Sequence, residues 1–471
     1  MSAQQKSGSM EKRLNKYFGN RAFYSMVLAI VIPMVIQNGF TNFVNMLDNV
    51  MVGRLGTEEI AGVSIVNQLL FVYNLCVFGI MSGAGIFTAQ FVGGGNVDGV
   101  RNTFRFKLLS GLVVNVVVLS VLFLRGPKLI GLYLTGTADG GDIALTMDYA
   151  LQYLHIMALG LPFFLLVQCY ASTLRENGET SVPMKAGIAA VLVNFVFNWL
   201  LIFGKLGLPR LGVRGAAIAT VLSRLVELAI IATWTHTHLD IMPFAQGVYK
   251  TLHIPHSLMK KIMSKGAPLF ANEVFWAVGM ALLNQCYSTR GLNAVAGFNI
   301  GSTMNNLCTV VMYANGAAIG IVVGRLLGAE RYEEAYDTDR KMIVFSALLS
   351  FGLSFVFFAI SGLFPQLYNT TPEARLIASQ VITIQALFLP MGAIRNACYY
   401  TLRSGGRTII TFCFDSGFVW FINVPIAMIL SRFTDVGATT IFFFIQMGDL
   451  FKAAVGLYLV HKRLWLRKFA R

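Results

Sequence analysis

Two carboxylic acids of this sequence have the type and setting of ion-binding groups. Asp48 lies at the end of one long apolar stretch and Glu273 lies inside another, and neither has a basic residue one helical turn away. An ionisable side chain at membrane depth costs at least ~2.5–3.5 kcal/mol on insertion scales, so it usually persists because it binds something or is paired. We therefore expect these two acids to bind a proton or a metal cation.

Other charged residues in the apolar stretches have neighbours of opposite charge at helical spacing. Arg224 and Glu227 are related as i and i+3, and so are Asp449 and Lys452. This spacing predicts a salt bridge within each pair. Asp415 has no such neighbour, so either an ion or a cation on another helix could compensate its charge.

Polar residues of two adjacent apolar stretches extend this pattern. Asn194 and Asn198 are one helical turn apart and share a face, and Thr220 follows a run of small residues, Gly215–Ala219. These side chains could form hydrogen bonds between helices. Alternatively, their oxygens could join Asp48 around Na⁺, because hard cations prefer oxygen ligands, or they could form a proton-carrying network.

The composition defines the environment that these residues share. Of the 471 residues, 56% are hydrophobic and only 13% are charged, against about 25% charged in soluble domains. The mean hydropathy is +0.65. These values argue against a soluble enzyme, a disordered chain and a fibrous protein. Twelve apolar stretches reach the length of about 20 residues that crosses a bilayer: 22–47, 60–91, 106–124, 144–170, 183–204, 215–234, 262–286, 295–324, 342–364, 374–400, 407–430 and 437–461.

The basic residues indicate the orientation. The sequence has 37 Lys and Arg against 22 Asp and Glu, a formal net charge of +15. Most of these cations lie in the segments that face the cytoplasm if the N-terminus does, which is the usual bias of membrane proteins. We therefore predict a multi-pass protein of the cell's inner (plasma) membrane with both termini cytoplasmic, and no nucleic-acid partner.

The sequence repeats itself. Pro33 recurs as Pro268, Gly93 as Gly328, and Thr173-Leu174-Arg175 as Thr401-Leu402-Arg403. Because each half contains six predicted spans, the two halves form a parallel repeat, an organisation found in alternating-access transporters. The predicted domains are a tail at 1–21, an N-terminal lobe at 22–234, a loop at 235–261, a C-terminal lobe at 262–461 and a tail at 462–471.

Over nearly its whole length the chain resembles the multidrug and toxic compound extrusion (MATE) family of transporters, in its bacterial form. The resemblance implies an all-α polytopic protein with twelve transmembrane helices in two six-helix lobes. It also implies efflux of lipophilic organic cations in exchange for Na⁺ or H⁺. The expected protein is a monomer in contact with membrane lipid, and it needs no cofactor besides the coupling ion. Its strongest segments are Asp48–Gly56, Asn194-x-x-x-Asn198, Gly215–Thr220 and the duplicated Thr-Leu-Arg-x-x-Gly-x-Thr motif. Asn272-Glu273-x-x-Trp276 and Asn315–Gly328 resemble the counterparts of the second half in bacterial members.

The resemblance also implies roles for particular residues. Asp48 would bind the coupling ion, with Asn194, Asn198 and Thr220 around it. If that ion is Na⁺, all four residues are its candidate ligands. Several relatives have Asp at the position of Asn198, so this chain has one charge fewer there. A second candidate site for a proton or cation and for substrate consists of Glu273, Asn272, Gln37 and Asp415.

Two other functions are less consistent with the sequence. A flippase for lipid-linked oligosaccharides, in the same superfamily, would need a strongly cationic cavity, whereas away from their edges the predicted spans contain only three bases, Arg224, Arg395 and Lys452, and a larger number of acids. A membrane enzyme would need catalytic groups at one depth, and His155 is the only histidine well inside a predicted span. We therefore expect a transporter and not an enzyme.

Overall fold

The computed structural model describes residues 16–134 and 142–470, and almost all of them are helical. Twelve helices in these ranges are long and apolar enough to cross a membrane, and no strand occurs there, which confirms the predicted all-α class and the number of spans. Residues 1–15 and Arg471 of the predicted tails lie outside the described ranges. The helices are α1 (Arg21–Gly53), α2 (Thr57–Gly93), α3 (Val97–Leu134), α4 (Ile143–Glu176), α5 (Ser181–Phe203), α6 (Val213–Thr237), α7 (His256–Ser288), α8 (Leu292–Gly328), α9 (Tyr332–Ile360), α10 (Pro372–Ser404), α11 (Thr408–Phe433) and α12 (Ala438–His461).

Most helices extend beyond the apolar stretches that predicted them. Helix α3 begins at Val97, although its apolar stretch begins only at 106. The side chain of Asn96 accepts a hydrogen bond from the Gly99 N–H (2.8 Å), which caps this polar first turn. A helix satisfies its backbone hydrogen bonds internally except at its ends. It can therefore continue beyond the apolar stretch into water where its ends are capped.

The chain divides into two compact units. One contains residues up to Ile32, Ala89–Gly95 and Met263–Arg471, and the other contains Pro33–Thr88 and Asn96–Ile262. The boundaries therefore lie within α1, at the end of α2 and in the first turns of α7, whereas the sequence repeat places a boundary only near the loop at 235–261. The first part of α1 and the last turn of α2 belong to the unit that α7–α12 form.

Close backbone packing explains why the end of α2 belongs to this unit. A side chain at Gly93 would overlap the carbonyl oxygen of Arg325 on α8, and a side chain at Gly328 would overlap the carbonyl oxygen of Gln90 on α2. Glycine at both positions therefore lets the two helix backbones touch. Gln90 is the repeat partner of Arg325, and Gly93 is the repeat partner of Gly328, so the contact is symmetric.

The duplicated Thr-Leu-Arg motif fixes a buried charge in each unit. In one unit the Thr173 hydroxyl lies 3.0 Å from Nζ of the fully buried Lys107, which also pairs with Glu176 at 2.5 Å. In the other unit the hydroxyl of Thr401 donates to Asp339 at 2.5 Å. The repeated motif therefore has a structural role, although the charge that it fixes has opposite sign in the two halves.

Helix α11 is irregular around Asp415. It begins as an α-helix at Thr408–Phe412, contains π-helical turns at Cys413–Gly417 and Val419–Asn423, and continues as an α-helix over Val424–Phe433. Wide π-helical turns are rare and occur frequently at functional sites.

After α12 the chain forms a packed segment, Lys462–Ala470, which we call the C-terminal strap. Trp465 is fully buried in it. The amide of the buried Gln90 donates to the carbonyl of Arg467 (3.2 Å) and accepts from the N–H groups of Phe469 (3.0 Å) and Ala470 (3.2 Å). The segment predicted as a cytoplasmic tail is therefore fixed to the end of α2.

Candidate functional site

The structure brings together Asp48 and the three residues that the sequence predicts around it. Nδ2 of Asn198 on α5 donates to Oδ1 of Asp48 on α1 at 2.5 Å, and to Oδ1 of Asn194 at 3.1 Å. Nδ2 of Asn194 lies 3.2 Å from the hydroxyl oxygen of Thr220 on α6. The helical turn between the two asparagines places both amides on the face of α5 that meets α1 and α6.

Hydrogen bonding in this cluster is incomplete. With its oxygen toward Asp48, Asn194 satisfies Asn198 and Thr220, but that oxygen then lies 2.9 and 3.1 Å from the two carboxylate oxygens. With the amide reversed, its nitrogen donates to Asp48 but faces Nδ2 of Asn198 at 3.1 Å. The reversed orientation is the more consistent one, because Asp48 then accepts from both asparagine amides and the Asn194 oxygen accepts from Thr220. Oδ1 of Asn198 is buried and has no hydrogen-bond partner among the described residues.

Two neighbouring groups complete this region. Arg224 pairs with the buried Glu227 at 2.7 Å, which confirms the salt bridge predicted from their spacing. The guanidinium of Arg175 donates to Oε1 of Gln37 at 2.8 Å. The structure thus places Gln37 in the unit of Asp48, whereas Glu273, with which the sequence grouped it, belongs to the other unit.

The other acidic cluster centres on Asp415 in the π-helical part of α11. Oδ1 of Asp415 pairs with Nζ of Lys452 on α12 at 2.7 Å, and Oδ2 accepts from Nδ2 of Asn272 on α7 at 3.0 Å. The predicted salt bridge between Asp449 and Lys452 is therefore wrong. Asp449 instead faces Nε of Arg395 on α10, at 3.4 Å. Lys452 is almost fully buried, so it pairs with the acid that also lies inside the unit.

Asn272 links Asp415 to Glu273. Its oxygen accepts from the hydroxyl and the N–H of Ser416, at 2.7 and 3.2 Å. Glu273 lies close to Asn272 and Tyr399 and within electrostatic range of Arg403. The structure thus brings together three of the four residues of the second predicted site.

The sequence missed several members of this second cluster, chiefly Tyr399, Arg395 and Arg403. All three lie on α10, where Arg403 belongs to the duplicated Thr-Leu-Arg motif and the other two precede it, so that repeat was the signal that could have identified this segment. In the described ranges no three His, Cys, Asp or Glu residues cluster as ligands of a transition metal. The clusters combine isolated carboxylates with amides and hydroxyls, which suits a proton or a hard cation such as Na⁺.

Comparisons with known proteins agree with the architecture. A family model described as MatE matches residues 33–200 and 268–429. "Probable multidrug resistance protein NorM" of Thermotoga maritima is 24% identical over 413 residues, which cover 87% of this chain and 86% of that protein. "Probable multidrug resistance protein YoeA" of Bacillus subtilis is 23% identical over 417 residues, which cover 87% of each. A solved structure described as the outward-facing conformation of a multidrug resistance MATE family transporter has the same fold, with a TM-score of 0.81, 20% identity, and coverage of 96% of this chain and 97% of that one.

Proposed function

Because this chain belongs to the MATE family of membrane transporters, we propose that it is a secondary active multidrug exporter. It carries lipophilic organic cations out of the cell in exchange for Na⁺ or H⁺. The names of the relatives, which are multidrug resistance proteins, support this choice of substrate class. The observation that carries the proposal is the carboxylate of Asp48, which meets the amides of Asn194 and Asn198 and forms no ion pair with a basic side chain among the described residues.

The coupling ion binds at Asp48. With the Asn194 amide reversed, its nitrogen and that of Asn198 donate to Asp48 at 2.9 and 2.5 Å. Rotation of the Asn194 amide brings its oxygen toward the carboxylate, where it would accept from a proton on Asp48 or join the carboxylate as a ligand of Na⁺. The unpartnered Oδ1 of Asn198 and the hydroxyl of Thr220 supply further oxygens.

Glu273 and Asn272 form a second site for a proton or cation and for substrate. Asp415 and Asp449 each have a basic side chain within 2.7 and 3.4 Å, respectively. In the described part of the chain no such close ion pair involves Glu273. An organic cation can therefore compete for Glu273, while Asp415 holds Asn272 in position.

Coupling follows if the ion and the drug favour different arrangements of the protein. An ion at Asp48 favours one arrangement and a cationic drug the other, so the release of one promotes binding of the other. The two six-helix repeats provide the two bodies that such an alternating-access cycle requires. On the positive-inside rule, both termini lie in the cytoplasm. We place the protein in the plasma membrane, where it acts as a monomer.

Proteoliposomes provide the direct test. Purified protein would be reconstituted, and efflux of an ethidium-type cation would be followed under a Na⁺ gradient and a pH gradient imposed separately. We expect at least one gradient to drive efflux in the wild type and neither to do so in Asp48→Asn. Asp240→Asn, which changes an exposed acid in the loop after α6, is the matched control and should transport normally. Unchanged gradient-driven efflux in Asp48→Asn would overturn the assignment of the coupling site.

A further inference from the structure

Three cations from three separate segments come together beside the C-terminal strap. They are Lys265 on α7, Arg407 at the start of α11 and Arg467 on the strap, and all three are half-buried. Lys265 lies within electrostatic range of both arginines, and Arg467 lies within electrostatic range of Arg407. In the described part of the chain no acid pairs with any of them. The site is therefore a concentrated positive charge with no counter-charge.

Main-chain carbonyl groups hold the two arginines in place. Nε of Arg467 donates to the carbonyl of Gly405 at 2.9 Å, and its Nη2 donates to the carbonyl of Gly406 at 3.0 Å. Nε of Arg407 donates to the carbonyl of Leu464 on the strap at 2.9 Å. The rest of each guanidinium and the ammonium of Lys265 have no hydrogen-bond partner within the described ranges. Fixed cations with free N–H groups suit an oxyanion.

Other cations of the same strap provide an internal comparison. Arg463 pairs with Glu333 at 2.7 Å, and Lys468 pairs with Glu330 at 3.0 Å. Acids of α9 and of the turn before it thus neutralise the cations on either side of Arg467. Burial and the charge of Arg407 both lower the pKa of Arg467 from its usual value. A bound anion would remove this repulsion.

The surroundings favour a lipid over a soluble anion. Ile409 lies two residues after Arg407 and is 68% exposed, and Leu464, whose carbonyl Arg407 binds, is 45% exposed. Exposed aliphatic side chains on or beside a membrane-spanning helix contact acyl chains. Basic pockets between transmembrane helices are also known binding places for acidic headgroups.

We propose that Lys265, Arg407 and Arg467 bind the phosphate of an anionic phospholipid, whose acyl chains lie along Ile409 and Leu464. This lipid is a resident ligand and not the transported substrate, so the site is independent of the ion and drug sites. Because Arg467 belongs to the strap that Gln90 binds, the lipid also holds the strap against the end of α2.

The test compares two lysines of α7 in detergent-solubilised protein. Lys265→Gln removes a free ammonium with no hydrogen-bond partner to lose, and Lys261→Gln removes an exposed one a turn earlier on the same helix. Native mass spectrometry and thermal unfolding would be measured with phosphatidylglycerol, phosphatidylcholine or inorganic phosphate. We expect phosphatidylglycerol to bind and stabilise the wild type and Lys261→Gln, and to bind Lys265→Gln several-fold more weakly. Arg407→Gln should show the same loss.

Three results would overturn the proposal. The first is equal phosphatidylglycerol binding by Lys265→Gln and Lys261→Gln. The second is equal stabilisation of the wild type by phosphatidylcholine and phosphatidylglycerol, since the zwitterionic lipid carries no net charge. The third is stabilisation by inorganic phosphate to which phosphatidylglycerol adds nothing, which would assign the site to a soluble anion.

Discussion

Lys452 of α12 donates its hydrogen bond to Asp415 of α11 at 2.7 Å, although Asp449 lies one turn away on its own helix. The lysine side chain is 2% exposed and the aspartate side chain 18% exposed, so the pair is largely shielded from water. The same carboxylate receives the amide of Asn272, which lies close to Glu273. The pair therefore positions the second candidate site.

Removal of one member of this pair should destabilise the protein. Lys452→Met leaves Asp415 without its counter-charge, and breaking a buried pair costs ~3–5 kcal/mol. The double variant Lys452→Met with Asp415→Leu should recover much of this loss, because it leaves no uncompensated charge. Thermal unfolding in detergent measures both. The exposed pair Arg463–Glu333 is the control, and Arg463→Ala should cost less than about 1 kcal/mol. Equal effects of the two single changes would contradict this account.

Asn198→Asp should strengthen ion binding at Asp48. The amide that donates to Asp48 at 2.5 Å would become a second carboxylate, and two carboxylates at this distance cannot both remain ionised without a cation or proton between them. We expect half-maximal transport at a cation concentration lower by about tenfold, or about 1.4 kcal/mol. Transport measured against Na⁺ concentration and against pH distinguishes the two ions. An Asn198→Asp protein whose ion dependence matches that of the wild type would refute this role for the cluster.

Glu273→Gln should impair transport without unfolding the protein. The glutamine keeps the hydrogen-bonding capacity toward Asn272 and Tyr399 but removes the charge that attracts an organic cation. We expect weaker drug binding and slower efflux, with an unchanged melting temperature. Binding of a fluorescent cation and thermal unfolding would be measured on the same preparation. Glu58→Gln, in the first turn of α2, controls for loss of an acid elsewhere. Full drug affinity in Glu273→Gln would remove Glu273 from the substrate site.

Gly328→Ala should separate the two helix backbones at their contact. The added methyl group would overlap the carbonyl oxygen of Gln90, which cannot move without moving α2. We expect a loss of ~1–3 kcal/mol, the usual cost of overpacking. Gly352→Ala on α9, where no atom lies within 4 Å of the added carbon, is the control and should gain ~0.5–1 kcal/mol from helix propensity. Thermal unfolding checks both, and a neutral Gly328→Ala would show that the contact is adaptable.

The sequence predicts local features of this protein well and tertiary pairings less well. Apolar length alone identifies the twelve spans, because lipid accepts only helices whose backbone bonds are internal. Helical spacing predicts the salt bridge of Arg224 with Glu227. The same rule fails for Lys452, because the rule describes an isolated helix, whereas the pairing of a buried cation depends on which acid the fold brings inside.

The two candidate sites show the same limit. Asn194 and Asn198 could be assigned to one face from their spacing, and their meeting with Asp48 follows from the resemblance to known transporters. Gln37 was grouped with Glu273, but it binds Arg175 in the other unit. A polar residue within a span signals a partner without identifying it, since the partner can come from any helix at that depth.

The symmetric contact between α2 and α8 has a consequence for the origin of the protein. Gly93 meets the carbonyl of Arg325, and Gly328 meets the carbonyl of Gln90. Both glycines occupy one position of the duplicated unit, and so do Gln90 and Arg325. In an ancestor with a single six-helix unit, one glycine would therefore have met the same carbonyl in a second copy, as in an isologous dimer interface. The present contact within one chain would then be the fused descendant of that interface, with Gln90 later adapted to hold the chain's own C-terminus.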